Sequence, residues 1–132
     1  MKLGYNFLGL LLLLVAVSCS ENERKVFTEA DIAVIPEPLE MQLEEGAFQF
    51  DASTVFVIAD ETQTPLVSAW VQKFKTLSDW DLQISKEAPK DNYMHLIWDE
   101  TLPQENYELE VSSSAIKVSA GDMNGIIYAL ES

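Results

Sequence analysis

Carboxylates are the most plentiful reactive groups in this chain. Several stand close enough in sequence to act as pairs: Glu44 with Glu45, Asp60 with Glu61, Asp79 with Asp81, and Asp99 with Glu100. Two carboxyls on opposite sides of a scissile bond can divide the work of acid and base, and cleavage of a glycosidic bond ordinarily uses such a pair. Here the pairs fall at turn positions in a chain with 22 acidic residues, where neighbouring acids arise by chance and solvate loops. Asp60-Glu61 and Asp99-Glu100 each follow an apolar run, as residues at strand ends do. No catalytic residue is assigned to any of them. His95 is the single histidine and lies between Met94 and Leu96. Zinc needs three or four convergent ligands, so a lone histidine reads as a hydrogen-bonded residue on a sheet face, and neither a metal nor a cofactor is expected. Trp70, Trp80 and Trp98 could stack on sugar rings. Trp70 falls on a helical stripe and Trp98 on a strand, which points both to the core, and Trp80 between Asp79 and Asp81 is the one expected to be partly exposed. Gly121 and Gly125 lack the strand–loop–helix setting and the lysine of a phosphate-binding loop.

Cys19, the only cysteine, offers a different chemistry: a thiol to carry a lipid. Lys2 supplies a positive start, Phe7 to Val17 is apolar apart from Gly9, and Ala16-Val17-Ser18 precedes the cysteine. The run is shorter than the roughly 20 residues that span a bilayer and has the proportions of a secretory leader. Positive start, apolar run, small residue and cysteine in this order resemble the lipobox of bacterial lipoproteins, which implies cleavage before Cys19 and a lipid on its sulfur. A buried free thiol, a residue beside a non-lipid cleavage site and the end of a signal anchor are the competing readings. Residues 1–18 are therefore read as a leader and 19–33 as a polar tether. The acidic start Ser20-Glu21-Asn22-Glu23 fits either a plain linker or the export signal of surface-exposed lipoproteins in some gram-negative bacteria. The expected location is the bacterial cell envelope, anchored to a membrane by the lipid.

Loss of Lys2 with the leader moves the net charge from −14 to −15. Such a surface repels phosphates and anionic headgroups, so nucleic acid is excluded as a partner. With no cysteine beyond Cys19, no disulfide within the chain is available and a hydrophobic core must hold the fold. The length beyond the leader suits one small domain, residues 34–132.

The elements that would position these residues follow from periodicity. Glu40 to Glu44 alternates, Glu45-Gly46 offers a turn, and Ala47 to Phe50 alternates again, which predicts a hairpin with Met41, Leu43, Phe48 and Phe50 facing a core. Thr54 to Ile58 predicts a buried strand. Thr64 as cap, Pro65 at the first helical position and Leu66, Trp70, Phe74 and Leu77 at helical spacing predict a helix over about 65–77, its stripe widened by Val67 and Val71. Strands are expected at Leu82–Ile84 and Tyr93–Trp98. A second hairpin joins Tyr107–Val111 to Ala115–Val118 across Ser112-Ser113-Ser114. Gly121-Asp122 opens a further helix through Leu130. No stop signal follows Leu130, which predicts a sequence cut at Ser132. The fold expected is α+β: a single sheet, mostly of antiparallel hairpins, with one or two helices packed on one face.

Three phrases in this order resemble the N-terminal accessory domain of family 20 glycoside hydrolases, the β-N-acetylhexosaminidases. They are Val34-Ile35-Pro36-Glu37-Pro38 with Gly46-Ala47-Phe48-Gln49-Phe50, then Glu105-Asn106-Tyr107-Glu108-Leu109-Glu110-Val111 with Ile116-Lys117-Val118-Ser119-Ala120, and finally Gly125-Ile126-Ile127-Tyr128-Ala129-Leu130. The resemblance covers 34–132. It implies a parent enzyme that removes terminal N-acetylhexosamine from glycans, the substrate's own acetamido oxygen attacking the anomeric carbon while an aspartate orients it and a glutamate serves as acid and base. Those two residues belong to a following (β/α)8 barrel that is absent here, so none is carried over. The implied partners are that barrel, glycans ending in N-acetylhexosamine, and the membrane. Two alternatives stay open at this point: an accessory domain of a family 84 O-GlcNAcase-like enzyme, and a stand-alone glycan-binding or interaction lipoprotein.

Overall fold

The computed structural model describes residues 28, 31–35 and 37–132. Cys19, the leader and most of the tether lie outside the described residues. Of residues 1–32 the described part is one turn, in which the Thr28 amide and hydroxyl both donate to Asp31 Oδ2, at 2.9 and 2.8 Å.

In the second unit, Ala33–Ser132, β-branched and aromatic runs form five strands: β1 (Val55–Ile58), β2 (Gln83–Ser85), β3 (Tyr93–Trp98), β4 (Tyr107–Val111) and β5 (Ala115–Ala120). Two helices, α1 (Thr64–Ser78) and α2 (Met123–Glu131), complete it. The strands make one sheet in the order β2-β1-β3-β5-β4. The α+β class with a single sheet stands; the expected strand directions do not. β1 pairs parallel with β2 and β3, and β3 pairs parallel with β5. Only β4 and β5 are antiparallel. Alternation has the same period in both directions, so it carries no sign of direction. Direction comes from the connections. α1 supplies the length that a parallel crossover from β1 to β2 needs, while β4 and β5 are joined by a tight turn in which the Ser112 amide donates to the Ala115 carbonyl at 2.9 Å.

The hairpin expected over residues 40–50 is also corrected: residues 41–50 pair with no strand. Phe50 accounts for this. Its ring lies 5.4 Å from that of Phe74, 6.1 Å from Trp80 and 6.3 Å from Phe56, and this aromatic cluster draws the second arm beneath α1 and away from the first. Met41 and Leu43, expected in a core, are exposed.

Register decides which side chains share a face, because directly opposed residues point the same way. Phe56, Met94 and Ile116 form one row, and Ile58, Leu96 and Val118 the next. With Val67 of α1 and Ile126, Ala129 and Leu130 of α2 these make the core, so both helices pack on one face. The opposite face carries Val57, His95 and Lys117 in one row.

α1 starts one residue earlier than expected and its cap differs. Gln63, not Thr64, is its N-cap and makes no side-chain capping bond, while the Asp60 carboxylate caps the 3-10 turn Glu61–Gln63 that leads into the helix, accepting from Thr62 N. Asp79 closes α1 in the left-handed conformation, φ 61, donating its amide to the Lys75 carbonyl. Asp122 caps α2, accepting from Gly125 N at 2.9 Å and from Glu105 N at 3.1 Å. One carboxylate thus joins the helix start to the β3–β4 loop. At the other end of the sheet Asn92, φ 55, ties three segments together: its side chain bonds Thr54 Oγ1 at 2.7 Å and Asp51 Oδ1 at 3.1 Å, and its amide donates to the Ser114 carbonyl at 2.7 Å.

Candidate docking surface

The carboxylates that spacing picks out are dispersed among turns. Asp60 accepts from the Thr62 amide and hydroxyl, and these two bonds hold its pKa below the ordinary carboxylate value. Asp99 is held down in the same way by the Thr101 hydroxyl and amide. Glu61 is lowered by its bond to Lys86, and Asp81 pairs with Lys75 at 3.0 Å. A general acid at neutral pH needs the opposite shift, upward. Asp60, Glu61 and Asp99 are thus built to stay charged, as caps and solvated ends. Glu44 and Glu45 are exposed.

His95 lies where spacing places it, on a sheet face, and that face is the one without helices. Burial lowers its pKa, and the Lys117 ammonium beside it adds to the effect. Among the described residues no group of three His, Cys, Asp or Glu side chains could hold a metal ion. Trp70 packs on Phe56 at 5.4 Å and on Phe74 at 4.5 Å, so it serves the core, and Trp98 packs against the core as well. Trp80 is half-buried, stacked on Phe74 at 6.3 Å and 24°.

What the structure does assemble is an apolar groove between the helices. Leu66, Ala69 and Trp70 of α1 face Ile127 and Leu130 of α2, and Lys73 with Glu131 bridges the rim at 3.5 Å. Its volume is about 120 Å³. Small-molecule sites occupy roughly 300 Å³ or more, so this groove suits one or two inserted side chains rather than a sugar. Beside it, sharing Ala69 and Lys73, a depression of about 300 Å³ runs along α1 through Gln72 and Thr76 to Leu77, which is 86% exposed, and it lies open to solvent rather than enclosing a ligand. Leu77, expected in the buried stripe, is corrected to a surface residue.

Residue spacing alone passes over Ala69 and the outward role of Ile127. The signal lies in the width of the apolar stripes. Ile126 and Ile127 are adjacent, 100° apart on a helix, and cannot both face one sheet. Ile126 is buried in the core and Ile127 turns to the groove. α1 likewise carries more apolar surface than its sheet face covers.

The position of α2 is fixed by two glycines. A Cβ on Gly121 would lie 2.4 Å from the Leu102 carbonyl oxygen, and one on Gly125 would lie 2.5 Å from that of Asn106. Both contacts are with backbone of the β3–β4 loop, which leaves no room for a side chain. The glycine of the Gly-x-x-Tyr-Ala-Leu phrase is therefore a close-packing residue. At the far end of α2, Tyr107 Oη and Ser132 Oγ are 2.6 Å apart.

Residues 31–132 match the family model for glycosyl hydrolase family 20, domain 2. A β-hexosaminidase of Porphyromonas gingivalis is 26% identical over 125 residues, covering 90% of this chain and 16% of that protein. Among solved structures, the family 20 exo-β-N-acetylglucosaminidase of Vibrio harveyi, in complex with N-acetylglucosamine, superposes with a TM-score of 0.61 at 21% identity, over 72% of this chain and 14% of that one. The β-N-acetylhexosaminidase of Bacteroides fragilis gives 0.57 at 22% identity, over 74% and 19%. The chain spans less than a fifth of the length of each of these proteins.

Proposed function

Because this chain belongs to glycosyl hydrolase family 20, as its domain 2, we propose that it is the non-catalytic accessory domain of a lipid-anchored β-N-acetylhexosaminidase. The observation that carries this reading is the outer face of α1 and α2. A groove too small for a sugar, walled by Leu66, Ala69, Trp70, Ile127 and Leu130, with Leu77 exposed beyond it, fits the side chains of an adjoining protein body. The occupant we infer is the catalytic barrel of the same enzyme, lying beyond residue 132. Glycans with terminal N-acetylhexosamine are the substrate class, a reading supported by the names of the relatives. Cleavage then belongs to the barrel, where the acetamido oxygen of the substrate attacks the anomeric carbon, an aspartate orients it, and a glutamate gives and takes the proton. This domain contributes a rigid face.

The anchor is the second part of the proposal. A lipid on Cys19 and a polar tether to residue 33 hold the domain, and the barrel with it, at the bacterial envelope. Cys19→Ser should release the protein from the membrane fraction, and unchanged fractionation would remove the anchor from the account.

Ala69→Arg tests the docking face, since it places a charged side chain in the groove at a position that is exposed in this chain. The isolated chain should keep its Tm. The longer protein that carries the barrel should lose Tm or kcat/KM. If the longer protein is unaffected in both, the groove is not the contact.

A further inference from the structure

Two exposed apolar strips run toward the same turn. On β4, Leu109 and Val111 stand opposite Val118 and Ile116, so their side chains belong to the helix-covered face, yet they are 42% and 51% exposed. Among the described residues β4 ends the sheet, and its outer edge presents backbone N–H and C=O groups without strand partners there. The second strip is Met41 and Leu43, alternate residues 36% and 37% exposed in a stretch that pairs with no strand. The strips approach each other at Gly46. Its φ of +116 turns the chain, and a Cβ built there would lie 3.9 Å from that of Ser113, in the turn that follows β4. Four residues later Phe50 is already against Phe56 and Phe74, so the stretch before Gly46 is the part left to meet the edge.

We propose that Glu40–Glu44 is a strap that closes along the outer edge of β4, parallel to it, with Met41 beside Leu109 and Leu43 beside Val111. The spacing agrees. Gly46 is three residues past Leu43 and Ser113 is two past Val111, which leaves one residue of slack for the turn at Glu45-Gly46. Closure shields four apolar side chains and gives the edge backbone partners. It also sets Glu40 and Glu44 on the side of Glu108 and Glu110, of which, among the described residues, only Glu110 has a cation, Lys117 at 3.2 Å. Like charges across an edge repel, and salt screens them. The strap is therefore poised: open at low ionic strength and closed as ionic strength rises.

Amide hydrogen exchange on the unmodified chain reads this directly. The outward amides of β4 should exchange about tenfold more slowly at about 0.3 M salt than at about 0.01 M, with the amides of β1 and β3 unchanged. Leu43→Asp should abolish the difference. Disulfide trapping in a Cys19→Ser background gives a second readout: the pair Leu43→Cys and Val111→Cys should close about tenfold faster than Gln42→Cys with Val111→Cys, whose side chain points to the other face. Salt-independent exchange at β4, or equal trapping rates for the two pairs, would overturn the strap.

Discussion

At Gly125 a single methyl group decides whether α2 can seat. Its Cβ would collide with the Asn106 carbonyl at 2.5 Å and meet the Ala120 side chain at 3.1 Å, and backbone cannot rotate aside as a side chain can. Gly125→Ala should therefore destabilise the domain by about 2 kcal/mol, in the range of overpacking, readable in urea unfolding. Gly46→Ala meets only open contact at 3.9 Å, so its cost arises from positive φ alone and should be nearer 1 kcal/mol. Gln63 sends a prediction in the other direction. It is fully buried, and neither amide atom has a hydrogen-bond partner among the described residues. Gln63→Leu should leave Tm unchanged or raise it by a few degrees, and a fall would mean that the amide is paired after all. His95 supplies a pH dependence. Its folded pKa lies below the ordinary 6.5 because of burial and then Lys117, so the unfolded chain takes up its proton first as pH falls. Stability should decline as pH drops below about 6.5, and His95→Gln should flatten that part of the profile in thermal melts between pH 7 and 5.

The identity of the elements from β1 onward was legible, and the direction of most strands was not. Pro65 and the Leu66, Trp70, Phe74 spacing located α1 to within a residue at each end, and the alternation of Tyr107–Val111 and Ala115–Val118 located the one hairpin among the described residues, because helix and strand periods are written in side-chain order. Three parallel pairings escaped the reading because alternation is blind to direction and the partners of β1 lie far along the chain. The hairpin over 40–50 failed because Phe50 gains more from Phe74, Trp80 and Phe56 than from an exposed arm carrying Met41 and Leu43. For the docking face the residues were visible and the surface was not. Leu66 and Leu77 read as one stripe, whereas the structure divides that stripe between sheet and groove. Only the packing of a second helix creates a groove, and its position depends on the close approach at Gly121 and Gly125.

Across the described residues of the second unit, Asp60, Asp99 and Asp122 hold turns and helix starts, while exposed apolar side chains lie on the helices, as at Leu77 and Tyr128, and along the β4 edge, as at Leu109 and Val111. In the proposed function this domain 2 of family 20 would supply support, and the chemistry would lie elsewhere. Lipid attachment at Cys19 would place that support at the envelope. The acid and base of glycan cleavage lie, in the proposed function, outside these 132 residues. Turnover of an aryl N-acetylglucosaminide tests it most directly, measured on the purified chain and on the longer protein that carries the barrel. No release of the aryl alcohol is expected from this chain and sustained release from the longer protein; turnover by this chain alone would overturn the assignment of catalysis to the barrel.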